Sequence, residues 1–293
     1  MLQLSLESRI FRIIDWFNRH PIWSRETEAL GRRLTTPTFD RWLYVQLHAM
    51  GWMGDEIPWL AERVRPGMTV VDAGANIGFY TLIFADLVGP SGKVISFEPD
   101  PDLFAAATEN VRLNSKTATV ELHNCALGAR PAELFLQRGR VNSGDNRLQR
   151  SAPDNRRALA VPVMPLDDLL GSQAVDWIKI DVQGWECDVL EGMTKTLARN
   201  LDTLEICLEF WPHGIRQANR DPGEAIAFLR RAGYAIYRPE RPDPVTDAEL
   251  QDFCRRAGRL TFLNLLASRD VPAASALASS KRAGDEPLYA ARR

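Results

Sequence analysis

Apolar residues recur at mixed three- and four-residue spacings near the start of the chain, a pattern typical of an amphipathic helix. Such a helix docks on a protein core or on a membrane surface. Two arginines are few for the second role, because interfacial helices usually carry a richer basic face. Five of the eight tryptophans also fall at positions 16, 23, 42, 52 and 59. We therefore predict a helical cap over residues 1–60, starting with a helix at 2–17 whose apolar positions are Leu2, Leu6, Ile10, Ile13, Ile14 and Phe17.

From Val70 onward, short β-branched runs alternate with helical patterns. A repeated strand-then-helix order predicts a parallel sheet covered on both faces. Two more strands near the end are joined by a proline-rich stretch and a short helical piece. The pattern predicts an α/β domain over residues 61–268. Its strands are expected at 69–72, 93–98, 119–124, 177–181, 203–209, 234–238 and 261–267, and its helices at 78–88, 101–114, 186–199 and 222–232.

Residues 132–169 interrupt this alternation. The runs AELFLQ and ALAVPV read as a β-pair around a loop in which residues 138–157 hold six arginines and two aspartates. A solvated loop explains this charge without a function. The sharper hypothesis is that Arg147 and Arg150 close over an anionic acceptor, such as a phosphorylated or nucleotide-linked sugar, because guanidinium groups match phosphate oxygens.

Composition narrows the class of protein. The 293 residues carry a net charge of −2, so nucleic acid is a disfavoured partner. Four cysteines without a C-x-x-C pair give no zinc knuckle or thioredoxin-type motif and suit a reducing compartment. No signal-peptide cleavage site is found, and no apolar run reaches the ~18–20 residues that span a bilayer. We expect a cytoplasmic protein without a transmembrane segment and with a disordered tail at 269–293; its oligomeric state is not indicated.

The strongest chemical signal is the run VVDAGANIGFY, in which an apolar strand leads into Asp72-x-Gly74-x-Asn76-x-Gly78 and then a helix. The glycines allow a tight turn and close approach of a ligand, and the helix start presents free N–H groups. A dinucleotide site prefers G-x-G-x-x-G, whereas the middle glycine is replaced here by Asn76. The Asp72 carboxylate repels a pyrophosphate but suits an ammonium group. This combination favours S-adenosylmethionine as the cofactor.

Two more strand ends support a nucleoside site. Glu98 ends the second predicted strand, in ISFEPDP, where an acid accepts hydrogen bonds from both ribose hydroxyls. Asn124 and Ala126 follow the third strand, where an amide and an apolar wall would meet an adenine ring. A glycine-rich turn alone is often only a tight connection. A strand, turn and helix followed by a strand that ends in glutamate is much harder to obtain by chance.

An ordered series of motifs resembles the FkbM-type S-adenosylmethionine-dependent methyltransferases. The motifs are DAGANIGFYT, FEPDP, NCALG, NSGDNRL, PLDDLL and IKIDVQGWE, within about residues 38–267. The resemblance implies a Rossmann-like class I methyltransferase fold, a seven-stranded mixed sheet with its last strand inserted antiparallel. It also implies methyl transfer to a hydroxyl oxygen, often of a sugar or natural product, with Asn142 and Ser143 of the N-S-G turn lining the site.

Candidate acceptor-side residues follow two further strand ends. Ligands of open α/β sheets bind outside the carboxyl ends of the strands, and Asp181 and Glu209 end the strands in WIKID and LEICLE. Asp181 is also suited to cap the next helix. His213 is a weaker candidate for the group that accepts the hydroxyl proton, because a lone loop histidine more often only forms hydrogen bonds. The three side chains are also potential ligands of a divalent cation that acidifies the hydroxyl, and their spacing does not decide this.

Three aromatic residues, Tyr80, Trp185 and Trp211, are candidates for cation–π contact with the sulfonium or, equally, for core packing. The sequence thus predicts an S-adenosylmethionine-dependent O-methyltransferase that acts on a small molecule, sugar or glycan. Two alternatives stay open. An NAD-linked oxidoreductase would use the same sheet, although Asp72 argues against it, and a non-catalytic nucleoside-binding module would bind the cofactor without turnover.

Overall fold

The computed structural model describes residues 26–37, 40, 42–43, 47, 57–117, 119–139, 142–151, 158–239, 241 and 243–269. The predicted helix at 2–17 lies outside these residues, as does the predicted tail except for Arg269. The domain boundaries inferred from the sequence stay predictions. None of the helices in the described ranges has the length and apolar character needed to cross a membrane.

Strands and helices alternate through most of the described chain. The strands are β1 (Glu26–Ala29), β2 (Arg32–Thr35), β3 (Thr69–Ala73), β4 (Lys93–Phe97), β5 (Val120–His123), β6 (Ala126–Leu127), β7 (Ala132–Gln137), β8 (Arg147–Gln149), β9 (Ala158–Met164), β10 (Trp177–Ile180), β11 (Glu205–Phe210), β12 (Ala235–Tyr237) and β13 (Leu263–Ser268). The helices are α1 (Ile57–Arg63), α2 (Phe79–Val88), α3 (Pro101–Leu113), α4 (Leu166–Leu170), α5 (Glu186–Glu191), α6 (Thr194–Arg199), α7 (Pro212–Gln217), α8 (Pro222–Arg231) and α9 (Asp247–Arg256).

A seven-stranded sheet forms the centre, in the order β12-β13-β11-β10-β3-β4-β5. Strands β3, β4, β5, β10 and β11 are parallel, and β13 is inserted antiparallel between β11 and β12. The apolar runs predict a parallel sheet, because a strand covered on both faces needs few polar positions, and the family resemblance implies the mixed seven-stranded arrangement. All four residues of β10 are buried, and four of the five in β3. The predicted fold class is confirmed.

Helices pack on both faces of the sheet through separate apolar clusters. On one face, Trp59 of α1 meets Trp177 of β10 edge to face, with their ring centroids 5.7 Å apart. Such aromatic pairs contribute roughly 0.5–1.5 kcal/mol beyond the area that they bury. The contact fastens α1 beneath β10, the strand that leads to Asp181.

A second sheet, in the order β6-β9-β7-β8, contains the insertion. Strands β7 and β9 pair antiparallel, with Leu134 opposite Val161, so the predicted β-pair is confirmed. The sequence did not indicate β6 and β8, which have two and three residues and are too short to show alternation. Strand β8 carries the arginine-rich part of the insertion to the carboxyl edge of the central sheet.

Two local expectations were wrong. Residues 26–35 form the hairpin of β1 and β2 instead of helix, around a two-residue turn in which Leu30 and Gly31 both have positive φ. The backbone N–H of Thr35 donates to Asn110 of α3 and fastens this hairpin to the domain. The helix expected at 186–199 is divided into α5 and α6 at Gly192, where a Cβ would collide with the carbonyl oxygen of Gly128.

Candidate active site

The turn between β3 and α2 lies at the carboxyl edge of the central sheet. The N–H groups of Gly74 and Ala75 both donate to the carbonyl oxygen of Phe97, at 3.0 Å. Gly74 has a φ of +92°, and a Cβ there would collide with the carbonyl oxygen of Asp181. Only glycine therefore fits, and the turn is held directly against the end of β10.

Glu98 lies directly against this turn. One carboxylate oxygen accepts a hydrogen bond from the N–H of Asn76 at 2.8 Å, and the other accepts from the N–H of Asp100 at 2.9 Å. Burial raises the pKa of Glu98 to about 8. The Asn124 side chain donates to the Glu98 carbonyl oxygen at 2.8 Å and so holds this segment, while Ala126 is buried in β6.

Asp72 is fully buried beneath the turn. Its Oδ2 accepts a hydrogen bond from the Thr81 hydroxyl at 2.7 Å, whereas its Oδ1 has no hydrogen-bond partner within the described structure. Burial raises the pKa of Asp72 despite the opposing charge of Lys179. The Asp72 carboxylate is therefore not accessible from the exposed side of the turn, whereas the sequence analysis predicts it next to the ammonium group of the cofactor.

Lys179 is a functional candidate that the sequence analysis missed. Its Nζ donates to Oδ2 of Asp181 at 2.8 Å and lies 4.4 Å from the centroid of the Tyr80 ring. Burial opposes its charge, but Asp181, Asp72 and Glu209 raise the pKa of Lys179 above its ordinary value. The available signal was a lysine inside the apolar strand WIKI, where an unpaired charge would be costly.

Gln183 joins the two carboxylates that the sequence proposes for the acceptor side. Its Nε2 donates to Oδ1 of Asp181 and to Oε1 of Glu209, both at 2.8 Å. The turn that carries it packs closely on α7, because a Cβ at Gly184 would collide with the Gly214 carbonyl group. The structure thus brings Asp181 and Glu209 together through an amide that the sequence did not single out.

Asp181 does not cap α5, since the N-cap position is Trp185 and no side chain caps it. His213 lies in α7, where its ring centroid is 5.6 Å from that of Trp211. Among the residues with described positions, no group of three or more His, Cys, Asp or Glu side chains is arranged to hold a metal ion. The proposed set of Asp181, Glu209 and His213 is thus not assembled as a metal site.

The aromatic candidates each have a protein cation over one ring face. Besides the lysine over Tyr80, the Arg150 guanidinium lies 4.7 Å from the Trp185 centroid. The Arg147 guanidinium lies 4.5 Å from the Trp211 centroid. These faces are therefore already used for cation–π contacts within the chain.

The N-S-G turn of the insertion, residues 142–144, covers the turn between β3 and α2, which we call the cofactor turn. The Asn76 side-chain amide donates to the Ser143 hydroxyl at 3.0 Å, and the Ser143 N–H donates to the buried Asp40 carboxylate at 2.7 Å. The Asn142 side chain accepts from the Gly144 N–H at 3.0 Å and shapes the turn. Three distant segments of the chain therefore meet over the residues that follow β3.

A cavity of about 800 Å³ opens between the insertion, the turn after β10 and helix α7. Of the acceptor-side residues indicated by the sequence, Arg147 and Trp185 line it, and Trp211 lies beneath Arg147. Gln183 also lines it, and the amide of this residue donates to both Asp181 and Glu209. Its lining includes Arg138, Arg147, Arg150, Gln183, Trp185 and Arg259.

Glu186 is expected to make the stability of the fold depend on pH. Its Oε1 accepts from the Gly184 N–H at 2.9 Å, its Oε2 has no partner in the described structure, and burial raises its pKa to about 8. A raised carboxyl pKa stabilises the fold below the ordinary value of 4.5, and this contribution is lost as the pH rises through 8. We expect Glu186→Gln to flatten the decline in unfolding free energy across this window, by up to about 1.4 kcal/mol per pH unit.

Urea titrations at several pH values measure this slope. Glu133→Gln is the matched control, because Glu133 is exposed on β7. Parallel pH curves for Glu186→Gln and the unmodified protein would contradict the prediction.

The fit to a nucleoside cofactor rests on the backbone of the turn and on Glu98. Gly74 allows the turn to lie directly against the end of β10, and each Glu98 oxygen keeps a lone pair besides the one used by a backbone N–H. Together with the strand order, these features define a class I methyltransferase dependent on S-adenosylmethionine. A family model described as the methyltransferase FkbM domain matches residues 72–236, more than half of the chain. The chain belongs to this family.

Three relatives are similar along most of their own length. Methyltransferase 1 of Beauveria bassiana is 29% identical over 197 residues, which cover 59% of this chain and 74% of the relative. The 31-O-demethyl-FK506 methyltransferase FkbM of Streptomyces tacrolimicus is 27% identical over 218 residues, 61% of this chain and 77% of the relative. The hexuronic acid methyltransferase AglP of Haloferax volcanii is 26% identical over 205 residues, 66% of this chain and 80% of the relative.

Proposed function

We propose that the protein transfers a methyl group from S-adenosylmethionine to a hydroxyl oxygen of a sugar or other small molecule. The observation that carries this proposal is the pair of carboxylates, Asp181 and Glu209, joined by Gln183 beside the cofactor turn. The cavity lined by Gln183 has the size of a small-molecule site. The names of two relatives, which specify a 31-O-demethyl compound and a hexuronic acid, support an oxygen acceptor and a sugar.

Different residues of this chain bind the cofactor and accept the proton. When bound, the cofactor would supply an activated methyl group, whose bond to the sulfonium sulfur breaks as the bond to the acceptor oxygen forms. The backbone after Gly74 and the Glu98 carboxylate hold the nucleoside end. Asp181 accepts the proton that the hydroxyl loses as its oxygen forms the new bond to carbon, and Lys179 keeps this carboxylate in place through their 2.8 Å contact.

Cofactor binding is the first test of this function. We expect Glu98→Ala to weaken the affinity for S-adenosylmethionine at least about tenfold, since it removes the side-chain acceptor proposed for the ribose hydroxyls and leaves the N–H groups of Asn76 and Asp100 without their partner. Calorimetric titration of the purified protein measures this change, with NAD⁺ as the competing ligand. Glu121→Ala is the matched control on the neighbouring strand, because Glu121 is exposed and pairs with Lys93.

Each outcome distinguishes the alternatives. Affinity for NAD⁺ instead of S-adenosylmethionine would favour the oxidoreductase. Cofactor affinity without methyl transfer to any of a panel of hydroxylated sugars would favour the non-catalytic module. A folded protein that binds neither cofactor would contradict both the proposed function and the assignment of Glu98.

A further inference from the structure

We infer that the cavity beside Gln183 binds an anionic group of the methyl acceptor, a carboxylate or a phosphate, between Arg147 and Arg259. The assignment of this ligand as the methyl acceptor rests on the proposed function. The anion site itself rests on the charges and contacts of the cavity. Both arginines line the cavity, as does Gln183.

The cavity has more positive charge than its own side chains neutralise. Within the part of the chain that the structure describes, four arginines and a single carboxylate, Asp145, line it. Two of these arginines are already paired: Arg138 donates to Asp100 at 2.6 Å, and Arg150 donates to Asp188 at 2.8 Å. The excess charge is therefore concentrated on the other two.

Arg147 is held in place with its charge only partly compensated. It lies over the Trp211 ring and donates to Gln217, while the nearest approach to Asp145 is 3.7 Å. Its Nε is buried and has no hydrogen-bond partner in the described structure. The accessible part of this side chain lines the cavity, where an anionic oxygen would compensate the remaining charge.

Arg259 faces the same space. Burial and the repulsion between the two guanidinium groups lower the pKa of Arg147, although Asp145 opposes this effect. The carbonyl oxygen of Arg259 accepts a hydrogen bond from Nε1 of Trp211 at 2.9 Å. Trp211 thus contacts the guanidinium group of Arg147 and the backbone of Arg259, and both arginines line the same cavity.

The presence of Arg147, Arg259 and Gln183 in one cavity limits the kind of ligand that fits it. Arg147, Arg259 and Gln183 line the same cavity, and Gln183 donates to both Asp181 and Glu209. A single ligand in this cavity can therefore contact both the arginines and the amide that joins the two carboxylates. The volume of about 800 Å³ suits a sugar acid or a sugar phosphate.

Calorimetric titration with glucuronate, glucose 6-phosphate and glucose separates charge from sugar recognition. We expect at least one of the acids to bind about tenfold or more tightly than glucose, and Arg147→Gln combined with Arg259→Gln to abolish this advantage. Preference between the two acids identifies carboxylate or phosphate as the group that is recognised. Arg256→Gln is the matched control, because Arg256 is exposed on the preceding helix and pairs with Asp252.

Arg259→Gln alone keeps the test valid if changes at Arg147 disturb the fold, because Arg259 is exposed. In this variant, the ratio of the affinity for the acid to the affinity for glucose is expected to fall at least threefold. Equal binding of glucose and both acids, failure of both acids to bind, or an unchanged preference in the Arg259 variant would overturn the inference. Methyl transfer to the same three compounds is measured separately. Arginine-dependent binding of an acid without transfer to any hydroxyl would support the anion site and contradict the proposed function.

Discussion

Replacing Lys179 with methionine is expected to lower the free energy of unfolding by about 3–5 kcal/mol at neutral pH, the usual cost of removing one partner from a buried ion pair. Lys179 is only 6% exposed and lies among three carboxylates, those of Asp72, Asp181 and Glu209. Methionine fills most of the same space but supplies no charge. The carboxylates then repel one another in a site from which water is largely excluded.

The pH dependence of this loss follows from the same charges. Without the lysine, the pKa of Asp72 rises further, so protonation relieves the repulsion at low pH. The deficit in unfolding free energy is therefore expected to be smaller in acid and to grow as the pH rises. Urea titrations at several pH values measure it.

A double-mutant cycle assigns the cause. Asp72→Asn removes one of the buried charges, so the double variant of Lys179→Met and Asp72→Asn is expected to be less destabilised than the sum of the single changes. Lys195→Met is the matched control, because Lys195 is exposed on α6, and it is expected to shift stability by less than about 0.5 kcal/mol. Additive effects of the two changes in the site would contradict the charge network.

The parts of the fold that the sequence predicted are those in which local pattern and tertiary environment agree. The apolar runs of β3 and β10 mark strands buried on both faces, and they end in the residues that reach the functional edge. Glycines and Asn76 mark the turn because few other residues adopt positive φ there. The close approach of Glu98 to this turn follows from the pairing of adjacent parallel strands.

What the sequence did not indicate depends on contacts between distant segments. Gln183 acquires its role only when β10 and β11 pair and bring Asp181 and Glu209 within reach of one amide. The full burial of Asp72 follows from its contact with Thr81 on α2, which no spacing within the motif indicates. Gly192 ends α5 because of the distant carbonyl group of Gly128. In each case a tertiary contact overrides the local pattern.

Asp181→Asn is expected to lower kcat by about 10²- to 10⁴-fold, the usual contribution of a positioned acid or base. Asp181 directly follows β10, the strand that pairs with β3. Its backbone carbonyl lies against Gly74 of the cofactor turn. Glu209 lies near the end of β11, which is one strand farther from β3. We therefore expect Glu209→Gln to lower kcat less than Asp181→Asn does.

The affinity for S-adenosylmethionine separates loss of chemistry from loss of structure. It is expected to change by less than about threefold in Asp181→Asn, because the backbone and not the side chain borders the turn, and a threefold change is only about 0.65 kcal/mol. Asp176→Asn changes a carboxylate just before the start of β10, at the opposite edge of the sheet, and is the control expected to keep kcat within about twofold. A larger loss in Glu209→Gln than in Asp181→Asn would assign the proton to Glu209. Near-normal kcat in both variants would show that neither carboxylate accepts the proton, and that methyl transfer here depends on alignment of the acceptor alone.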